Sequence, residues 1–303
     1  MSVEDLYIED NATGKNWDLL LGDSCKRMAE IPDESIGMSV YSPPFASLFT
    51  YSPSPRDLGN SASRAEFFEH YAFIIKENLR ITPPGRICCV HVQQLATSMA
   101  VHGVTGLTDF RGEVIRSYMD AGWIFHGEVT IDKDPQAQAI RTKAQALMFA
   151  TKNRDSSATR PGLADYLLLF RKPGQNAVQI KNDVSNDEWI GWARPVWLDI
   201  RETNTLNART GRDSADERHI CPLQLDFVER CIRLWSNVGE TVFTPFAGIG
   251  SEVYSAVKLN RQGLGIELKP SYFKAAVKNL EELEYEMEAP TLFSKQTTGS
   301  TNE

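Results

Sequence analysis

The chain reads as an α/β protein built on one doubly wound, mostly parallel sheet, with a small additional lobe. Two observations predict this. Apolar runs of strand length alternate with stretches of helical periodicity, the pattern that parallel βαβ units produce. The alternation breaks in the middle of the chain, where a polar, basic and weakly periodic stretch interrupts it, and then resumes.

The elements follow in order. Leu19–Leu21 is a short apolar run closed by Gly22-Asp23, a strand ending in a turn. Ser24 to Ile31 has helical character, and Ile36 to Tyr41 is a second buried strand stopped by Ser42-Pro43-Pro44. Arg64 to Leu79 places Phe67, Phe68, Tyr71, Ile74 and Ile75 at helical spacing. A Pro-Pro-Gly turn ending at Gly85 leads into the strand Arg86 to Val92. Phe110 to Ala121 reads as a helix ended by Gly122, and Trp123 to Ile131 and Leu163 to Phe170 as two more strands. From Lys172 to Glu217 there is little periodicity, three tryptophans (Trp189, Trp192, Trp197) and scattered arginines. Regular alternation then returns: a helix over Gln224 to Trp235, a strand over Thr241–Phe243, a helix over Glu252 to Leu259, a strand over Gly263–Glu267 and a helix from Ser271 to about Tyr285.

Composition narrows the class. With 303 residues, 42% apolar and 24% charged, the chain has the profile of a globular enzyme, and its apolar runs are too short to span a bilayer. Its acidic, polar start carries no secretory signal pattern, and Cys25, Cys88, Cys89, Cys221 and Cys231 have no spacing that suggests zinc or a disulfide framework. A reducing, cytoplasmic setting is expected. The net charge of −8 argues against a nucleic-acid partner until its distribution is read: residues 133–220 hold 14 Lys and Arg against 11 Asp and Glu. A basic middle in an acidic scaffold suits a protein that meets phosphate with one face.

Two constellations carry chemistry. In Phe243-Thr-Pro-Phe-Ala-Gly-Ile-Gly-Ser251 a strand ends, and Gly248 and Gly250 let the backbone turn tightly beside a ligand before a helix begins. One strand later Glu267 is placed to accept both hydroxyls of a ribose, so the pair favours a nucleoside-containing cofactor. The second constellation is Tyr41-Ser-Pro-Pro-Phe45. Ser42 and Pro43 each precede a proline and are pushed toward extended geometry. That rigidity can hold the Ser42 hydroxyl oxygen and the Pro43 carbonyl as two convergent acceptors. A flat aromatic amine needs such a pair, because hydrogen bonds from both N–H groups favour a pyramidal nitrogen whose lone pair can attack. Phe45 offers a plane for stacking a base.

Together these resemble the β class of DNA amino-methyltransferases, whose diagnostic motif has the form (Asp/Asn/Ser)-Pro-Pro-(Tyr/Phe). Here Ser42-Pro43-Pro44-Phe45 precedes the Gly loop by about two hundred residues, the permuted order of that class. Gly22-Asp23, His219 with Leu225 to Arg230, Ala247 to Ser251, Gly265 to Glu267 and Pro270-x-Tyr272 also sit as that class places them. The resemblance implies a Rossmann-like methyltransferase fold divided into a catalytic half (1–131), a target-recognition region (132–217, with a core strand near 163–171), a cofactor half (218–288) and a flexible tail (289–303). It implies S-adenosylmethionine as cofactor, no metal, and double-stranded DNA as partner, with a homodimer and a cognate restriction nuclease as further partners. The catalytic set is then Ser42, Pro43, Pro44 and Phe45. The cofactor set is Asp23, Tyr41, Pro222, Pro245, Phe246, Ala247, Gly248, Gly250, Ser251 and Glu267. Arg141, Lys143, Arg154, Arg160, Arg209 and Arg212 are the DNA contacts.

Two positions depart from the class. Thr244 stands where an Asp usually precedes Pro-Phe, which removes a carboxylate from the cofactor's ammonium group, and Cys221 replaces the Lys before Pro222. The expected reaction is direct methyl transfer to an exocyclic amine of a flipped base. Ser42, in place of Asp or Asn, points to cytosine N4, with adenine N6 as the alternative. An RNA or protein-glutamine methyltransferase and a catalytically silent DNA-binding relative are the rival readings.

Overall fold

The computed structural model describes residues 8–44, 57–61, 63–97, 99–136, 138, 147, 149–207 and 222–289. Among them, β1 (Asp10–Thr13), β2 (Trp17–Leu21), α1 (Ser24–Arg27), β3 (Met38–Tyr41), α2 (Arg64–Ile81) and β4 (Ile87–Gln93) come first. A small hairpin of β5 (Leu95–Thr97) and β6 (Gly106–Thr108) flanks the short α3 (Met99–His102). Next follow α4 (Phe110–Asp120), β7 (Ile124–Ile131), β8 (Asp165–Arg171), α5 (Asn186–Trp192) and β9 (Val196–Trp197). The chain closes with α6 (Leu225–Trp235), β10 (Thr241–Thr244), α7 (Ser251–Lys258), β11 (Gln262–Glu267) and α8 (Pro270–Glu288).

Nine strands form one sheet in the order β1-β2-β11-β10-β3-β4-β8-β7-β9. The five from β2 to β4 are parallel to one another, β1 is antiparallel to β2, and β8 turns antiparallel to both β4 and β7. The doubly wound, mostly parallel sheet is therefore present. From the central pair the chain winds outward in both directions, β3 toward β4 and β10 toward β11. The carboxyl ends of β3 and β10 thus flank the switch point, where open α/β sheets bind ligands.

Period-two alternation sends side chains to both faces of each strand. Cys88, Val90, Phe170 and Phe243 pack beneath α2 and α4 with Phe67, Tyr71, Ile74, Ile75, Phe110 and Tyr118. Met38, Val40, Cys89 and Val242 meet Phe227, Val228, Cys231 and Ile232 of α6 on the other face. Trp17, Leu19 and Leu21 seat α7 and α8 through Val253, Val257, Phe273 and Leu280. Cys88 and Cys89 are buried free thiols on opposite faces, as their place in a strand implies.

Some local expectations need correction. The helix over 24–31 is a single α-turn followed by a 3₁₀ turn, Met28–Glu30. The polar edge strand β1 and the β5–β6 hairpin carry too few apolar residues to register as strands. Within 172–217, α5 is built on a reciprocal Ser185–Glu188 capping box, and β9 joins the main sheet beside β7. The three tryptophans divide between core and surface. Trp197 is buried in the core, and the Arg230 guanidinium of α6 stacks between Trp192 and Trp197 at 4.9 and 4.7 Å. Trp189 stays half-exposed.

Candidate active site

The Gly loop starts where β10 ends. Gly248 and Gly250 have φ of +54° and +93°, and a Cβ on Gly250 would lie 3.1 Å from that of Ala276. Only glycine meets both demands cheaply. Ala247 N–H bonds the Ile266 carbonyl at 2.8 Å and Gly250 N–H the Ala247 carbonyl at 2.7 Å, so the loop is tied to β11 and to itself. Ser24 Oγ donates to the Pro245 carbonyl at 2.5 Å and thereby fastens the Gly22-Asp23 turn to it. The parallel pairing of β2 with β11, Leu21 opposite Glu267, brings Asp23 to the same edge. Asp23 caps α1, accepting Cys25 N–H at 2.9 Å.

Glu267 does more than the sequence suggests. Its Oε2 accepts the N–H of Gly248 and its Oε1 that of Lys269, each at 2.7 Å. The carboxylate thus sets the shape of the Gly loop and the start of α8, while its remaining lone pairs stay open to hydroxyls. Burial raises its carboxyl to about 7, against the pull of the backbone N–H groups of Lys269, Gly248 and Leu268. Ser251, the first residue of α7, and Ala247 are buried behind the loop, and Phe246 is half-buried. Pro222 lies half-buried ahead of α6.

Tyr41 is a correction. Its side chain points into the core, where its hydroxyl joins those of Tyr71 and Tyr118, and it touches the loop only through an edge contact with Phe246 at 5.7 Å. The pleat of β3 sends this side chain to the helix-covered face, where it supports the loop from beneath.

Ser42 stands at the end of β3, at the head of a row of four residues the sequence reading missed. Its Oγ lies 3.5 Å from Nδ1 of His91, whose Nε2 is 3.0 Å from the Asp165 carboxylate. Lys133 Nζ meets the same carboxylate at 2.8 Å, and Gln93 Nε2 donates to its other oxygen at 2.8 Å. Burial alone would raise Asp165, but His91 and Lys133 outweigh it and hold it at about 2. An ionised Asp165 assigns the proton of a neutral His91 ring to Nε2, leaving the Nδ1 lone pair facing the Ser42 hydroxyl. The row runs along one sheet edge because β3, β4, β8 and β7 are adjacent, with Gln93 and Ile131 both opposite Asp165. A histidine inside the apolar run Ile-Cys-Cys-Val-His-Val was the available signal. Its partners Ser42 and Asp165 are 49 and 74 positions away and left no local trace.

Phe45, Arg141, Lys143, Arg209, Arg212, His219, Cys221 and the tail from position 290 on lie outside the described residues. Arg154 is exposed, and Arg160 is half-buried with Nη1 on the Pro161 carbonyl. Among the described residues no trio of His, Cys, Asp or Glu side chains is placed to hold a metal ion, and no helix is long and apolar enough to cross a membrane. Cys25, raised to about 11 by burial and by Asp23, is no nucleophile.

Comparison with known proteins decides the family, since the DNA methylase model covers residues 36–278, from β3 into the first half of α8. The chain belongs to the N4/N6 DNA methylase family. Its members are methyltransferases, and the cofactor is S-adenosylmethionine. The type II methyltransferase M.MjaI of Methanocaldococcus jannaschii is 22% identical over 84% of this chain and 88% of its own length. M.BglI of Bacillus subtilis is 31% identical across 39% of this chain, a match spanning 30% of that relative. TTHA0409 of Thermus thermophilus, in complex with S-adenosyl-L-methionine, shares the fold with a TM-score of 0.65 at 21% identity, over 87% and 94% of the two chains. The cytosine-N4-specific PvuII DNA methyltransferase does so with a TM-score of 0.59 at 17% identity, over 90% and 91%.

Proposed function

We propose that this methylase transfers a methyl group to the exocyclic amine of a base flipped out of double-stranded DNA, and that the base is cytosine, methylated at N4. The observation that carries the reading is the Ser42–His91–Asp165 row. When bound, S-adenosylmethionine supplies the electrophilic methyl. With the Ser42 hydroxyl hydrogen directed to His91 Nδ1, both oxygen lone pairs remain to accept from the amine. The Pro43 carbonyl is the second acceptor. Two such bonds favour a pyramidal nitrogen and strengthen as positive charge develops on it. The N–C bond forms as the C–S bond breaks, and one N–H proton must leave. Ser42 can take that proton and pass its own to His91 Nδ1, while Asp165 accepts from Nε2 and holds the ring in place.

A neutral hydroxyl is a weaker acceptor than a carboxylate and suits the cytosine amine. Adenine N6 is the alternative, because the same acceptor pair serves any planar amine. Residues 133–220 supply the positive charge for phosphate, with Arg154 the exposed candidate. The setting that fits is the cytoplasm, beside a cognate restriction nuclease in a type II system and as a homodimer. Mass spectrometry of nucleosides, after DNA is incubated with the protein and S-adenosylmethionine, is the test. N4-methylcytosine is expected. N6-methyladenine alone would reassign the base, and no methylated base despite cofactor binding would favour the silent DNA-binding reading.

A further inference from the structure

A buried carboxylate without a counter-ion stands behind the Gly loop. Glu252, the second residue of α7, is 5% exposed. Among the described residues no ion pair and no donor but its own backbone N–H meets it. The charge that acts on it is Glu267, of the same sign, which adds to the effect of burial. The start of α7 offers some relief, since acidic side chains are favoured in a first helical turn. Even so, a carboxylate taken out of water calls for a cation, and here the neighbouring group repels it.

Its direction is fixed by helix geometry. Glu252 shares a face of α7 with Ala256, one turn on. Ala256 packs with Met38, Val40, Val242 and Phe227, toward β10, β3 and α6 rather than toward α8. Glu252 therefore faces the switch-point side of the loop, where β10 ends at Thr244. Thr244 is wholly buried, and its hydroxyl is spent on the Phe246 N–H at 3.3 Å. A carboxylate is missing from position 244, and an unpaired one stands a few residues later behind the same loop.

We infer that Glu252 holds the α-ammonium of the cofactor's amino-acid part, the task that Thr244 cannot perform. This rests on the cofactor reading given above. The bound ammonium completes the charge balance that the protein alone leaves open. It also anchors the end of the cofactor that runs from Glu267, on the ribose side, toward Ser42.

The test compares two nucleosides that differ in that part. S-adenosylhomocysteine carries the ammonium, and 5′-methylthioadenosine has the same nucleoside and thioether without it. Calorimetric titration of the full chain should show Glu252→Gln losing tenfold or more in affinity for S-adenosylhomocysteine, with methylthioadenosine unchanged within about twofold. Glu252→Asp, which keeps the charge, should lose less on the first and nothing on the second. Without ligand at pH 8 the Gln variant should melt at or above the wild type, since it removes an unpaired charge. Equal losses on both nucleosides, no loss on either, or a Gln variant that fails to fold would each overturn the assignment alone. A wild-type chain that bound neither nucleoside would overturn the cofactor reading with it.

Discussion

His91 and Asp165 are diagonal neighbours across the β4–β8 pair, with Nε2 3.0 Å from the carboxylate, and both are almost fully buried. The pairing fixes the imidazole so that its other nitrogen addresses Ser42. Removing either partner should therefore be felt at the serine before it is felt in cofactor binding. His91→Ala should lower kcat on the order of a hundredfold, the low end for a positioned proton acceptor, with S-adenosylmethionine affinity unchanged. Asp165→Asn should act in the same direction and also leave Lys133 without its carboxylate, so it should lower the melting temperature as well. An unaltered kcat in His91→Ala would remove the imidazole from the reaction.

Glu267 bridges two backbone donors, so its loss has two consequences. Glu267→Ala leaves the N–H groups of Gly248 and Lys269 without their acceptor, at about 1–3 kcal/mol for each donor left unsatisfied. Thermal stability and cofactor affinity should fall together, while Glu267→Gln, which keeps one acceptor oxygen, should fall less in both. A Glu267→Ala chain that keeps its melting temperature but loses cofactor would show that Glu267 meets only the ribose.

Two raised carboxyls predict the pH dependence of the ligand-free chain. Burial raises Glu252 to about 8 and Glu267 to about 7, both from 4.5. A raised folded-state value means stability that is full below pH 4.5 and is lost as pH climbs toward 8. At about 1.4 kcal/mol per unit the two effects amount to several kcal/mol. Asp165 works the other way: its contribution is present above pH 3.8 and is lost only as pH falls toward 2. Chemical denaturation should show stability declining from about pH 5 to pH 8, with a shallower decline in Glu252→Gln. A flat profile over that window would contradict the burial of both groups as charges.

Gly250 occupies a left-handed conformation against Ala276. Gly250→Ala should cost on the order of 1–2 kcal/mol in backbone strain, more if α8 must shift, and should weaken S-adenosylmethionine binding by deforming the loop. Differential scanning calorimetry with and without cofactor reads both effects, and an undisturbed melting temperature would argue that the turn can relax.

Arg154 is the described arginine that best represents the basic middle of the chain. Arg154→Ala should weaken DNA binding and reduce the slope of log affinity against log salt by roughly one unit if it meets one phosphate. Cofactor affinity should not move. An unchanged slope would place Arg154 away from the DNA backbone.

Much of this molecule was legible in the order of its residues. Period-two and period-3.6 hydrophobicity marked seven strands of the main sheet and its long helices, because both faces of a central strand and one stripe of a covering helix must be apolar. Gly248, Gly250, Glu267 and Ser42-Pro43-Pro44 announced themselves because turns and rigid extended segments restrict residue type locally. What the tertiary structure alone decided depends on pairing between distant strands. The register of β2 on β11 sets Asp23 beside Glu267, and the run of β3, β4, β8 and β7 lines Ser42 up with His91, Asp165 and Lys133. Tyr41, adjacent to Ser42 in sequence, was parted from it by the strand pleat, which sends neighbours to opposite faces. Glu252 looked like an ordinary acidic residue in a first helical turn, and only burial against a partnerless surround gave it meaning. A charge acquires its chemistry from what surrounds it, and those surroundings are assembled by contacts that sequence proximity does not record.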